Sequence, residues 1–140
     1  MIIKNARSAL ISNFEVYSLL QERNDYQKQV LANQPNVEYP EHLRTIQFEV
    51  IEYLKGTPTS TQSVDQVKNF LDQLQPYSLT LGEKLQILNL RPRSAVEIYL
   101  LIEECEERFN EEDLENMLSI IINTLPRDDD EQQEDGDMEE

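Results

Sequence analysis

The sequence predicts an all-α fold, and three observations carry that expectation. A hydroxyl residue followed three positions later by Glu or Gln recurs at Ser12, Ser63, Thr80 and Ser94, and Asn110 stands just before a run of acids. Each is a helix-start signature, because the side-chain oxygen accepts from a first-turn amide that has no partner within the helix. Apolar residues then return at helical spacing, as at Val67, Phe70, Leu71 and Leu74. No segment alternates with period two for long enough to suggest a sheet. The expected architecture is a small five-helix bundle preceded by an N-terminal strand or arm and a helix.

Residues 1–11 open on Ile2 and Ile3 and close on Ala9, Leu10 and Ile11, which suits a short strand or an extended arm. Ser12-Asn13-Phe14-Glu15 then starts a helix that can run to about Ala32. Its second half is nearly all polar and has little to bury. Residues 33–42 contain Pro35 and Pro40 and no period, so they are expected to be a linker.

A compact module is expected over residues 43–126, with helices beginning near Leu43, Val64, Leu81, Ala95 and Glu111. Leu43, Ile46, Val50, Ile51 and Leu54 form the stripe of the first, which Gly56-Thr57-Pro58 ends. Leu81, Leu85 and Leu88 are the inward residues of the third, broken at Leu90-Arg91-Pro92. The fourth is apolar on nearly every side from Ala95 to Ile102 and is expected to be the most buried, with its acidic turns at Glu103, Glu104, Glu106 and Glu107 projecting outward. In the last, Leu114, Met117, Leu118, Ile121 and Leu125 face inward and Pro126 stops the helix. Residues 127–140 hold nine acids, one Arg and one apolar residue, a composition expected to be disordered.

Charge and length exclude several classes of function. The net charge is −16, and half of it lies in residues 127–140. Such a field repels phosphate backbones, so no direct, high-affinity contact with nucleic acid is expected. The longest apolar run, residues 98–102, is far short of the roughly 20 residues of a membrane span, and no membrane contact is expected. The N-terminus carries no apolar stretch of signal-peptide form. With Cys105 the only cysteine, an internal disulfide is impossible and an intracellular, reducing compartment fits.

Candidate sites for chemistry are few. His42, the only histidine, falls in the linker without a Cys or His neighbour, so a surface role is preferred to metal or catalytic work. Cys105 lies among glutamates, which raise a thiol pKa and disfavour a nucleophile. Glu103, Glu104, Glu107, Glu111 and Glu112 are expected to form a solvated acidic docking face, not a calcium site, for want of a loop with a Gly turn. Lys84, Arg91 and Arg93 form the only basic cluster of the module. They either cap helix ends and pair with the acids or touch a phosphate. No Gly-rich phosphate loop or acid–base frame appears, and no cofactor, metal or catalytic residue is expected. Ile2, Ile3, Leu10, Ile11, Phe14, Tyr17 and Leu20 lie outside the module, and either pack on it or are buried by another chain.

Three patches, in order, carry a resemblance. They are Leu10-Ile11-Ser12-Asn13-Phe14-Glu15-Val16 followed by Leu19-Leu20, the stretch EKLQILNLRP at residues 83–92, and AVEIYLLIEECEER at residues 95–108. Together they resemble the smaller stalk subunits of eukaryotic RNA polymerase III, the family of the calcitonin gene-related peptide receptor component protein. The resemblance covers about residues 1–126. It implies a helical module of the helicase and RNase D C-terminal (HRDC-like) type. It also implies a heterodimer with the larger stalk subunit, a protein with an oligonucleotide-binding-type barrel. The N-terminal strand and helix, residues 1–32, would dock on that partner. The implied role is nuclear and non-catalytic, in initiation of tRNA, 5S rRNA and other small RNA genes with the polymerase core and initiation factors. A freestanding HRDC-type module that binds single-stranded nucleic acid through Lys84, Arg91 and Arg93 is the alternative. A receptor-accessory role is suggested only by the family name, since the sequence offers no lipid anchor or basic amphipathic helix.

Overall fold

The computed structural model describes residues 2–127, and among them the secondary structure is entirely helical. The helices are α1 (Asn13–Asn33), α2 (Glu41–Lys55), α3 (Val64–Gln73), α4 (Leu81–Leu90), α5 (Ala95–Leu101), α6 (Cys105–Arg108) and α7 (Glu111–Thr124), with a short 3-10 turn at Pro58–Thr61. The five expected helix starts correspond to α2, α3, α4, α5 and α7. The acidic tail lies outside the described residues apart from Arg127.

The caps form as their chemistry dictates. Ser12, Ser63, Thr80, Ser94 and Asn110 each accept a hydrogen bond from the amide three positions on. At Ser63, Thr80 and Asn110 the cap amide also donates to the side-chain oxygen of Gln66, Glu83 or Asp113, so the box is complete.

Two compact units divide the chain, the first reaching Ser60 and the second beginning at Thr61. This differs from the module read over residues 43–126, because α2 belongs with α1. The two helices pack against each other across a short proline-containing connection. Only Ile51 and Leu54 of the expected α2 stripe are buried, while Leu43 and Ile46 are exposed. Helix α1 buries no residue at all. His42 falls in the first turn of α2, beyond the linker.

The second unit owns a continuous core. Phe70 from α3 and Leu74 just after it, Ile87 and Leu88 from α4, Ile98 from α5, and Met117 and Ile121 from α7 meet there with Ile102, Cys105 and Leu125. Helix α7 packs on both α3 and α5, and α4 packs on α5.

Three expectations need correction in this unit. Leu81 is exposed, and Ile87 takes the inward place beside Leu88. Helix α5 is not the most buried element, since Ile98 is its one buried residue and Val96, Tyr99 and Leu100 are exposed. Nor does that helix run on through the glutamates. It ends at Ile102, whose backbone is extended, and Glu104 adopts a left-handed conformation at φ 52° before the single turn of α6. In a continuous helix Glu103 would face Glu106 and Glu107 at i+3 and i+4, where like charges repel. The break also frees the Glu103 carbonyl, which accepts from Arg108 at 2.9 Å.

Candidate partner-binding surfaces

The N-terminal arm has no strand. Residues 2–12 are irregular, with a turn at Ala6 and Arg7 where the Arg7 amide donates to Asn5 Oδ1 at 3.1 Å. Ile2, Ile3 and Leu10 are 88%, 73% and 67% exposed, and Ile11 is exposed as well. Phe14, Tyr17 and Leu20 in α1 are half-buried. Ser12, by contrast, is buried and fixes the start of the helix. The candidate anchor residues thus form an apolar stretch that the chain itself leaves largely uncovered. Leu19 and Tyr26 of α1 and Leu43, Ile46, Phe48 and Tyr53 of α2 add further exposed apolar surface to this unit. That second group was missed because helical spacing alone marks a stripe as inward and does not say which chain covers it.

The basic cluster does not assemble as a face. Arg91 is 2% exposed, and its Nε donates to the Leu125 carbonyl at 2.9 Å. It also ends α4 in the left-handed region, at φ 45° and ψ 72°. Its role is to tie the end of α4 to the end of α7, and burial removes it from the candidate nucleic-acid contacts. Lys84 and Arg93 are half-buried.

The acids sit on successive short elements. Glu103 and Glu104 lie in the turn between α5 and α6, Glu107 in α6, and Glu111 and Glu112 in the first turn of α7. All five are exposed. The positive end of the α7 dipole favours the last two where they stand.

Beneath these acids lies an ion pair that sequence reading missed. Arg108 donates through Nη1 to Glu83 Oε1 at 2.7 Å and through Nη2 to Glu83 Oε2 at 3.0 Å. Nη2 also donates to the Ser78 carbonyl at 2.7 Å. The guanidinium lies 5.3 Å from the centre of the Phe109 ring, which in turn meets Tyr77 at 6.4 Å. Glu83 meanwhile closes the Thr80 capping box. One bidentate pair therefore fastens α6 to the start of α4. The Arg108 hydrogen bond holds the Glu83 carboxyl below its ordinary range, and the Glu83 hydrogen bond holds Arg108 above its own.

Cys105 is buried, and burial above all pushes its thiol up, with Glu106 and Glu83 adding to the effect and Arg108 opposing it. No group of three or more His, Cys, Asp or Glu among the described residues is placed to hold a metal ion. No described helix is long and apolar enough to cross a membrane.

The second unit also carries a groove of about 770 Å³ between α5 and α7. Ala95, Val96, Tyr99, Phe109 and Leu114 line it, and Glu106, Glu111 and Glu115 stand around it. A hydrogen bond with Glu106 raises the Tyr99 hydroxyl above its ordinary pKa.

The chain is similar to known RNA polymerase subunits. The model of the family described as RNA polymerase Rpb4 matches residues 10–125. DNA-directed RNA polymerase III subunit rpc9 of Dictyostelium discoideum is 36% identical over 130 residues, covering 89% of each chain. The protein of the same name in Schizosaccharomyces pombe is 35% identical over 131 residues, covering 90% of this chain and all of its own. In Saccharomyces cerevisiae, DNA-directed RNA polymerase III subunit RPC9 is 39% identical over 62 residues, 44% of this chain and 38% of its own.

Proposed function

The chain belongs to the RNA polymerase Rpb4 family, and on that premise we propose that it is the smaller, non-catalytic stalk subunit of RNA polymerase III, paired with the larger stalk subunit. The observation that carries this reading is the exposed apolar arm at Ile2, Ile3, Leu10 and Ile11, continuous with a helix that buries none of its residues. A side chain of this kind gains about 1.5–3 kcal/mol when fully removed from water, and here most of that gain is left for another chain to supply. The larger stalk subunit is the proposed cover. Ile2, Ile3, Leu10, Ile11, Phe14, Tyr17 and Leu20 are the proposed contacts.

In this reading the second unit serves initiation from the outer side of the assembly, at tRNA, 5S rRNA and other small RNA genes in the nucleus. Glu103, Glu104, Glu107, Glu111 and Glu112 offer acidic surface to initiation factors. RNA contact belongs to the partner, because the net charge of −16 opposes phosphate. The rival reading needs a basic face on Lys84, Arg91 and Arg93, and Arg91 is inside the fold.

Co-purification tests the proposal. Pull-down of the tagged chain from nuclear extract should recover a larger stalk subunit and polymerase core, and deletion of residues 1–20 should abolish that recovery while α3 to α7 stay helical by circular dichroism. Undiminished recovery without residues 1–20 would refute the anchoring role of the arm. Failure of the intact chain to recover any polymerase subunit would refute the stalk assignment.

A further inference from the structure

We propose that the groove between α5 and α7 is a docking site for a basic, amphipathic segment of another protein, which inserts an aliphatic or aromatic side chain between Lys or Arg flanks. This goes beyond the stalk reading, because it concerns the second unit alone and names the chemistry of what that unit receives.

The groove floor is apolar and partly bare. Of its lining residues Val96 is 69% exposed and Tyr99 40% exposed. Large apolar side chains grouped on one short helix mark an interaction site more often than scattered ones do. The volume of about 770 Å³ leaves room for a large aliphatic or aromatic side chain presented by a segment lying along the groove.

The rim selects the occupant by charge. Glu106, Glu111 and Glu115 line the groove together with its apolar residues, and no Lys or Arg does. A cationic flank gains from all three acids, whereas a phosphate or an acidic peptide is repelled. Tyr99 and Glu106 both line the groove, so an apolar ring and a carboxylate stand together there. A second copy of this chain brings a net charge of −16 to the same rim and is disfavoured. The acidic residues 128–140 are disfavoured for the same reason.

The test uses the full chain, labelled with nitrogen-15, and a synthetic helical peptide with leucine on one face and arginine on the other as probe. Amide shifts should centre on Val96, Tyr99, Glu106 and Leu114. A peptide with its leucines replaced by serine, or its arginines by glutamate, should bind at least about tenfold more weakly, since 1.4 kcal/mol is a factor of ten. Val96→Asp and Glu115→Lys, both at exposed positions, should each weaken the probe by about tenfold while leaving the circular dichroism unchanged. Equal binding of the serine peptide would overturn the proposal, since charge alone would then explain it. Shifts centred outside the groove would overturn it too, as would groove shifts that follow protein concentration without peptide, which would make a second copy the occupant. Should Val96→Asp fail to fold, Glu115→Lys still decides, because unchanged binding there contradicts the charged rim. The measurement involves no polymerase subunit, so its failure leaves the stalk reading standing, and a failed pull-down leaves the groove standing.

Discussion

The two units differ in who completes them. The second gathers Phe70, Leu74, Ile87, Leu88, Ile98, Met117 and Ile121 into one core and locks its edges with Arg91 and Arg108. The first has a helix of 21 residues with no buried side chain, and an arm whose isoleucines stand in solvent. Both are helical and both start their first helix with a serine N-cap, so local signals do not distinguish them. The difference is tertiary. The first unit leaves much apolar surface exposed, which the proposed partner would cover, and the second has a core of its own.

The strongest way to sharpen that contrast is to remove one core side chain and one from α1. Phe70 is fully buried, and Phe70→Ala should cost about 3–5 kcal/mol by urea denaturation of the second unit. Leu19 is half-exposed, and Leu19→Ala should change the stability of the free chain by no more than about 0.5 kcal/mol. Comparable losses at the two sites would erase the distinction.

Arg91 comes next in size. Arg91→Met keeps the aliphatic stem but leaves the buried Leu125 carbonyl without this donor, and should lower stability by about 1.5–3 kcal/mol. Any weak affinity for single-stranded nucleic acid should not change with it, as measured by fluorescence anisotropy. A large fall in affinity with unaltered stability would restore the surface role that burial denies.

The Glu83 pair predicts a pH dependence. The folded carboxyl titrates below its ordinary value of 4.5, so the pair stabilises the fold above that value and the contribution is lost as pH falls through the lower folded value. Glu83→Gln should therefore melt lower than the parent chain near neutral pH. The gap should narrow as the solution is acidified below pH 4.5. A gap constant with pH would mean that the ion pair contributes nothing beyond the Thr80 cap.

Smallest are the caps. Ser63→Ala and Asn110→Ala should each cost about 1 kcal/mol in thermal or chemical unfolding, since each removes one side of a complete capping box.

Much of the fold was legible because it is written locally. A cap needs only residues three apart, which is why the helix starts at Val64, Leu81, Ala95 and Glu111 could be read directly. What was not legible depends on residues far apart in the chain. Arg is rarely buried unless paired, and the partner of Arg91 is a backbone carbonyl at Leu125, which no side-chain pattern announces. The end of α5 at Ile102 was hidden by good helix-forming residues on both sides, and it is the repulsion among the following glutamates and the reach of Arg108 that favour the break. The groove went unread because a helix apolar all round looks buried, and only the packing shows Val96 and Tyr99 exposed in it. That the arm residues Ile2, Ile3, Leu10 and Ile11 are apolar was legible, and the structure shows them exposed.

Amide hydrogen exchange, read with and without the larger stalk subunit, tests the central claim most directly. In the free chain the α1 amides should exchange much faster than those of Met117 and Ile121 in α7, because no buried side chain holds α1 closed. Addition of the larger stalk subunit should slow exchange in α1 while leaving α7 nearly unchanged. Protection of α1 equal to that of α7 in the free chain, or no gain on adding the partner, would contradict the account.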